Sequence, residues 1–127
     1  MTAPKWLRVR LVLAAKSRAR HVECLHYADD KPFLFEDRWI NLAAVPRTEN
    51  ADLTAIGPNE WLVGEVPYTN AEVRFSAATA DEPVARFLET RSGAPPFLVE
   101  RTTWLSETPV TNVHLHFASG YQMVARY

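Results

Sequence analysis

Apolar and polar residues alternate with a period of two along much of this 127-residue chain. The pattern is clearest from Thr69 to Thr79, where four apolar residues are separated by single polar residues. The apolar set consists of Ala71, Val73, Phe75 and Ala77. Because successive side chains of a β-strand point to opposite faces, the alternation predicts a strand with one buried face.

The other strands are predicted from apolar segments that are bounded by turn residues. They lie at His21–Tyr27, Pro32–Ile40, Pro96–Leu105, Val110–Phe117 and Tyr121–Tyr127. The first two flank Asp29-Asp30 and predict a β-hairpin. The last three predict a meander, with turns at Ser106 to Pro109 and Ala118 to Gly120. Trp6 to Leu13 is a short apolar stretch before the first hairpin.

Two helices are predicted between the hairpins. One begins at Gly57-Pro58, since proline suits the first helical position, and ends near Gly64. The other is capped by Asp81 and ends near Gly93. Thr48 to Ala55 favours one or two further helical turns. The residues expected to be buried are Trp61, Leu62, Val84, Phe87 and Leu88.

These elements predict an α+β fold, with a mostly antiparallel sheet and helices packed on one face. A chain of 127 residues corresponds to about one domain. We expect an N-terminal segment at residues 1–20 and a single domain at residues 21–127. The first segment has no helix-turn-helix pattern.

The charge balance argues against direct binding of nucleic acid by this chain. Fourteen basic residues face fifteen acidic ones, for a net charge of -1, whereas phosphate-binding surfaces usually bring a basic excess. The single Cys24 excludes an intrachain disulfide and fits a reducing compartment, the cytoplasm. No apolar run approaches the length of a membrane span. No glycine-rich phosphate loop occurs, and we expect no cofactor.

Several polar residues are in phase with the apolar residues of their predicted strands. Glu36 and Arg38 occupy every second position together with Leu34 and Ile40, so all four are expected on one face of the strand. The other polar positions of this kind are Arg101, Thr103 and Thr111. A charge on a buried face must be paired, hydrated or bound to a ligand. Two interpretations remain open: an internal salt bridge of Glu36 with an arginine, or a ligand site.

Two further clusters have weaker support. His114 and His116 share one strand face, but no third metal ligand has a fixed spacing to them. Cys24 and His26 share another face, but nothing nearby forms a nucleophile elbow. We therefore predict neither a metal site nor a catalytic cysteine.

Five segments together resemble the UTRA effector-binding domain of GntR-type transcriptional regulators, in particular the histidine-utilisation repressor subfamily. They are HVECLHYADDKPFLFEDRWINLAAVP, IGPNEWLV, FLVERTTWL, PVTNVHLHF and SGYQMVARY. The resemblance covers about residues 20–127. It implies a chorismate-lyase-like fold around a small-molecule pocket, a homodimer, and operator DNA bound through a winged helix-turn-helix domain that lies outside this chain.

The resemblance also assigns pocket positions. Two positions that are often basic fall on Cys24 and His26, and a carboxylate position falls on Glu36. The other matched positions are Asn59, Thr111 and Phe117. The arginine pair that would hold a sugar phosphate is missing, so a small ligand with one carboxylate is favoured. The resemblance further favours a three-residue hairpin loop, which places His26, Glu36 and Arg38 on one face.

The resulting hypothesis is a non-catalytic sensor of a histidine catabolite, with urocanate as the ligand. Glu36 would accept the ring N–H, and Arg101 or Arg38 would bind the carboxylate. Aromatic side chains would cover the ring. The complete set of predicted ligand-binding residues is His26, Glu36, Arg38, Asn59, Trp61, Arg101, Thr103, Thr111, Phe117 and Tyr121. Two alternatives remain open: a chorismate-lyase-like enzyme, and an interaction module with a vestigial pocket.

Overall fold

The computed structural model describes residues 1–53, 57–77, 82–89, 97–118, 122 and 124–126, except for the side chains of residues 59, 60, 63 and 82. The helices are α1 (Lys5–Leu11), α2 (Pro58–Glu65) and α3 (Glu82–Phe87), with a 3₁₀ helix at Pro46–Asn50. The strands are β1 (Ala19–Ala28), β2 (Lys31–Asn41), β3 (Asn70–Ala77), β4 (Phe97–Leu105) and β5 (Thr108–Phe117).

The strands form one five-stranded antiparallel sheet in the order β1-β2-β5-β4-β3. The two hairpins, β1-β2 and β4-β5, therefore pair at the centre through β2 and β5, and β1 and β3 are the edges. The predicted α+β fold class is confirmed. The predicted strand at Tyr121–Tyr127 is wrong for its described residues 122 and 124–126, which are not in a strand.

Chain contacts divide the molecule into two compact units. The first contains Met1–Val22, Arg38–Val73 and Arg101–Val113, and the second contains Glu23–Asp37, Arg74–Glu100 and His114–Tyr127. In the second unit, a core cluster joins Phe35 of β2 to the apolar side of α3. The α3 residues in this cluster are Val84, Ala85 and Leu88. Phe87 is mostly outside this core, although its ring stacks on Phe35 at 4.8 Å.

The first unit has two core clusters. Helix α1, which we did not predict, contributes Leu7 and Leu11 to a cluster with Trp39. Helix α2 contributes Leu62 to a different cluster with Ile40. Because adjacent strand residues point to opposite faces, α1 and α2 cover opposite sides of β2 here. The prediction that the helices pack on one face of the sheet is therefore wrong for α1. Helix α1 was not predicted because it has only seven residues, which are too few to show a clear helical period.

The first hairpin differs from the prediction in its loop. Only Asp29 and Asp30 separate the strands, and both have positive φ, 51° and 63°, as in a type I′ turn. In an uninterrupted hairpin of this kind, His26 and Glu36 would lie on opposite faces. Nevertheless, His26 Nε2 lies 3.0 Å from Glu36 Oε1. The pairing therefore shifts by one residue within the hairpin, as a β-bulge does.

Strand β3 occurs where the alternation predicts it, but its predicted buried face is wrong. All eight of its residues are exposed, including the apolar residues. Phe75 is 61% exposed and Val73 43%. The described core clusters contain no residue of β3, and α3 packs on Phe35 of β2 instead, so neither face of the strand is covered by them.

Candidate functional site

A cleft in the first unit contains four of the predicted ligand-binding residues. Its lining consists of Arg38, Leu62, Val66, Tyr68, Arg101, Thr103, Val110 and Thr111. The three sheet strands β2, β4 and β5 supply the polar residues other than Tyr68, while α2 and the segment after it supply one apolar wall. The strand side chains converge because β2, β5 and β4 are successive neighbours in the sheet.

The two arginines define the charge of this cleft. Arg38 is 2% exposed and Arg101 is half-buried. Both also interact with other parts of the protein. An arginine side chain stays charged in proteins, and none of the described residues that line this cleft is acidic. The lining is therefore electrostatically complementary to an anion.

Two buried hydroxyl groups lie on the same lining. Thr103 Oγ1 of β4 and Thr111 Oγ1 of β5 are 2.8 Å apart, at hydrogen-bond distance. The next pair of residues, Asn112 and Thr102, is also hydrogen-bonded, from Asn112 Nδ2 to Thr102 Oγ1 at 3.1 Å. Both pairs fit one register, so neighbouring pairs point to opposite faces of the β4-β5 hairpin. The register directs the Thr103–Thr111 pair to the cleft.

The cleft is narrow in this structure. Its cavity volume of about 10 Å³ is enough for about one water molecule. Leu62 and Val110 are buried at its apolar wall, whereas Tyr68 is exposed at its rim. Entry of a molecule larger than water therefore requires displacement of lining side chains, and Tyr68 has the least packing to lose.

A second predicted element, the His26–Glu36 pair, lies in the second unit. The Glu36 side chain is buried, and the His26 ring that it contacts is partly exposed. The contact confirms that the two side chains share a face. Glu36 Oε1, which we predicted to accept a ligand N–H, is thus already at 3.0 Å from a ring nitrogen of the protein itself.

Two of the remaining predicted residues, Trp61 and Phe117, are not among the described residues that line the cleft. Trp61 is half-buried and packs against the Ile40 cluster. Phe117 lies in the second unit, where its ring is 6.1 Å from that of Phe97. Tyr121 and the side chain of Asn59 lie outside the described part of the chain.

The cleft also contains residues that the sequence analysis missed. Leu62 was expected only as core, while Val66 and Tyr68 were treated as the connection between α2 and β3. A connection gives no periodic signal, so only its aromatic residue could have drawn attention to it.

The rings of His114 and His116 stack at 6.3 Å, and His114 Nε2 lies 3.8 Å from Glu100 Oε2. Among the residues that the structure describes, no three or more His, Cys, Asp or Glu side chains are arranged to hold a metal ion. None of the helices described is long and apolar enough to cross a membrane.

Comparisons with known proteins give a family. The sequence model of the UTRA domain matches residues 1–120. Relatives named histidine utilization repressor, from Pseudomonas aeruginosa and Klebsiella aerogenes, are 31% and 30% identical over 111 and 112 residues. These alignments cover 87% of this chain but 44% and 46% of the relatives, so the chain spans less than half of their length.

Solved structures have the same fold. The C-terminal domain of histidine utilization repressor from Pseudomonas syringae pv. tomato has a TM-score of 0.93 at 26% identity, over 100% of this chain and 91% of that one. The effector binding domain of trehalose repressor from Bacillus subtilis has a TM-score of 0.86 at 11% identity, over 100% and 90%. At the latter identity the likeness concerns the fold alone.

Proposed function

Because this chain belongs to the UTRA domain family, we propose that it is the effector-binding domain of a GntR-family repressor, and that its cleft binds a small carboxylate. The observation that carries the proposal is the described lining itself, which combines two arginines, a pair of hydroxyl groups, a tyrosine and apolar side chains and includes no acidic residue. A carboxylate can accept two parallel hydrogen bonds from one guanidinium. The role is binding without catalysis.

The proposed effector is urocanate or a related product of histidine breakdown. The names of the relatives from Pseudomonas aeruginosa and Klebsiella aerogenes support this choice. Urocanate joins a carboxylate to a planar imidazole. Arg38 and Arg101 bind the carboxylate, while Leu62 and Val110 contact the flat ring and the Thr103–Thr111 pair supplies polar contacts at the edge. The contact of Glu36 with the imidazole N–H stays a prediction.

The proposed regulatory role rests on a shift of the equilibrium between two arrangements of the repressor. In the proposed whole repressor, which acts in the cytoplasm, operator DNA is bound by a domain outside this chain, and the protein is a homodimer. An effector shifts such a protein between two arrangements only by its difference in affinity for them. The narrow cleft supplies that difference, since the arrangement that admits the effector must have a wider cleft than the present one.

The test is a panel of small acids measured by thermal unfolding and calorimetry. It contains urocanate, its methyl ester, imidazole propionate, histidine and chorismate. A ligand at a hundredfold over its Kd adds about 2.7 kcal/mol of stability, a rise in Tm on the order of 10 °C for a domain of this size. We expect this rise with urocanate and none with the methyl ester, because the ester lacks the anion.

Two variants locate the binding. Arg101→Gln removes one cleft cation, and we expect the Kd of urocanate to rise at least about tenfold, the loss of a charge-assisted hydrogen bond. Lys16→Gln removes an exposed cation outside the cleft and should leave the Kd unchanged. Equal binding of the ester, an unchanged Kd for Arg101→Gln, or turnover of chorismate would contradict the proposal.

A further inference from the structure

Tyr68 differs from the apolar residues that line the cleft, because its side chain lies outside the core packing. Leu62, Val66 and Val110 all belong to the core cluster of Ile40 or pack against it. None of the described core clusters contains Tyr68, which is 45% exposed. The ring of Tyr68 can therefore move without disrupting these clusters, whereas movement of the other three side chains would separate core residues from one another.

The backbone on both sides of Tyr68 is held by hydrogen bonds. On one side, the N–H of Val66 donates to the carbonyl of Leu62 in the last turns of α2 at 2.8 Å. On the other side, the N–H of Thr69 donates to the carbonyl of Trp104 in β4, also at 2.8 Å. The segment that carries Tyr68 is thus attached to α2 at one end and to the sheet at the other.

The hydroxyl group of Thr69 adds to the second attachment. Thr69 Oγ1 accepts the backbone N–H of Ser106 at 2.7 Å and donates to Asn70 Oδ1 at 2.8 Å. Only Pro67 and Tyr68 lie between the two attachments, and the proline ring fixes the φ of Pro67. Movement at this rim of the cleft therefore comes from the side-chain torsions of Tyr68 rather than from the backbone.

A ligand larger than water must displace this mobile side chain and then lies against it. The cavity volume of about 10 Å³ is filled by about one water molecule. In the proposed complex, Leu62 and Val110 contact one face of the planar imidazole, which leaves the other face to Tyr68. A tyrosine offers a large flat surface with only two side-chain torsions to order. Stacked rings also attract each other beyond the area that they bury.

We infer that Tyr68 closes over the bound effector and is a specificity-determining residue, which selects planar conjugated acids over acids with a saturated chain. The inference rests on the proposed function, because it concerns the same cleft. A conjugated acid is flat along its whole length, so it contacts Tyr68 on one face and the wall of Leu62 and Val110 on the other. A saturated chain bends out of this plane and loses contact on one of the two faces.

Two ligands isolate the effect of planarity. Urocanate and imidazole propionate have the same imidazole and the same carboxylate, and they differ only in the double bond of the chain. Calorimetry gives the Kd of each for the wild-type chain, Tyr68→Ala and Tyr68→Phe. We expect Tyr68→Ala to raise the Kd about tenfold for urocanate and at most about threefold for imidazole propionate. Tyr68→Phe keeps the ring and should change either Kd by less than about twofold.

Rate constants distinguish a cover from a general change of structure. In stopped-flow experiments, Tyr68→Ala should raise the dissociation rate constant of urocanate about tenfold without lowering the association rate constant, since affinity differences within one site arise mostly in dissociation. Tyr27→Ala removes another exposed tyrosine that is not among the described lining residues, and it should leave both rate constants unchanged. The ligand-free Tm of Tyr68→Ala should equal that of the wild-type chain, because the side chain is exposed.

The outcomes separate this inference from the proposed function. A Kd of urocanate that responds to Arg101→Gln but not to Tyr68→Ala would leave the proposed effector intact and overturn the role of Tyr68. Equal effects of Tyr68→Ala on the two ligands would overturn the selection of planar acids. A loss in Tyr68→Phe as large as in Tyr68→Ala would assign the effect to the hydroxyl group and overturn the stacking. If the wild-type chain binds neither acid, the proposed effector and this inference both fail.

Discussion

Strands β2 and β3 lie in the same sheet, but their side chains have opposite environments. β3 has the more regular alternation of apolar and polar residues and is exposed along its whole length. β2 contains Glu36 and Arg38, and both are buried. The difference lies in what covers the faces of the strands, because Phe35 and Ile40 of β2 pack against α3 and α2, whereas the described core clusters contain no residue of β3. Alternation identifies the two faces of a strand, and the tertiary structure determines what covers them.

The largest effect that we expect from this contrast is at Ile40 of β2, which is 0% exposed. Ile40→Ala removes buried methyl groups and leaves a cavity between α2 and the sheet, so the free energy of unfolding should fall by about 3–4 kcal/mol. Urea denaturation with a constant m-value measures this. A loss below about 1 kcal/mol would mean that the packing around Ile40 collapses to fill the space.

A matched pair of Val→Thr changes compares a central strand with the edge directly. Val113 of β5 is 0% exposed, and Val113→Thr buries a hydroxyl, which should cost about 1–3 kcal/mol. Val73→Thr makes the same change in β3, where Val73 is 43% exposed and water can solvate the hydroxyl, so the cost should be under about 0.5 kcal/mol. Equal costs at the two positions would contradict the assignment of β3 as an exposed edge.

A third prediction concerns Val12, an exposed residue with a strained backbone, where we expect a substitution to stabilise the protein. Val12 ends α1 and is 89% exposed, but its φ of 56° lies in the left-handed region, which β-branched residues disfavour. Glycine is the usual residue at this position of a helix end. We therefore expect Val12→Gly to raise the free energy of unfolding by about 1 kcal/mol, measured by thermal unfolding. A loss of stability would show that the flexibility gained by the unfolded chain outweighs the strain.

The smallest effect is expected at the turn of the first hairpin. Asp30 has a φ of 63°, which aspartate tolerates at modest cost. Asp30→Gly gives the Asp-Gly pair that type I′ turns prefer, and should stabilise the protein by about 0.5 kcal/mol or less. The stability of Asp30→Gly is compared with that of His26→Ala, a variant of the same hairpin that removes the contact to Glu36 and leaves the turn unchanged.

The sequence predicted the parts of the fold that depend on near neighbours along the chain. Both hairpins and helix α2 lie where turn residues and proline indicated them. The exposure of β3 and the helix α1 were not predictable in this way, because the first depends on which elements pack on the strand and the second on a single pair of leucines.

The residues of the candidate site likewise fall into those that a local sequence pattern predicted and those that it did not. Arg38, Arg101, Thr103 and Thr111 were predicted because they are polar residues in phase with apolar ones, a signal that is local to each strand, and all four line the cleft. Val66 and Tyr68 were missed, since a connecting segment has no period and its side chains reach the cleft only through the packing of α2.

The buried Thr103–Thr111 pair has a consequence for what the cleft can recognise. Two hydroxyl groups carry two hydrogens, and the contact between their oxygens at 2.8 Å uses one of them. The second hydrogen is left to rotate, together with lone pairs on both oxygens. The same pair can therefore offer a hydrogen to a carboxylate oxygen or a lone pair to an imidazole N–H, without any movement of the backbone. Rotation of one O–H bond therefore decides whether this part of the cleft donates or accepts a hydrogen bond. The cleft can thus bind either a hydrogen-bond acceptor or a hydrogen-bond donor of a ligand at this position.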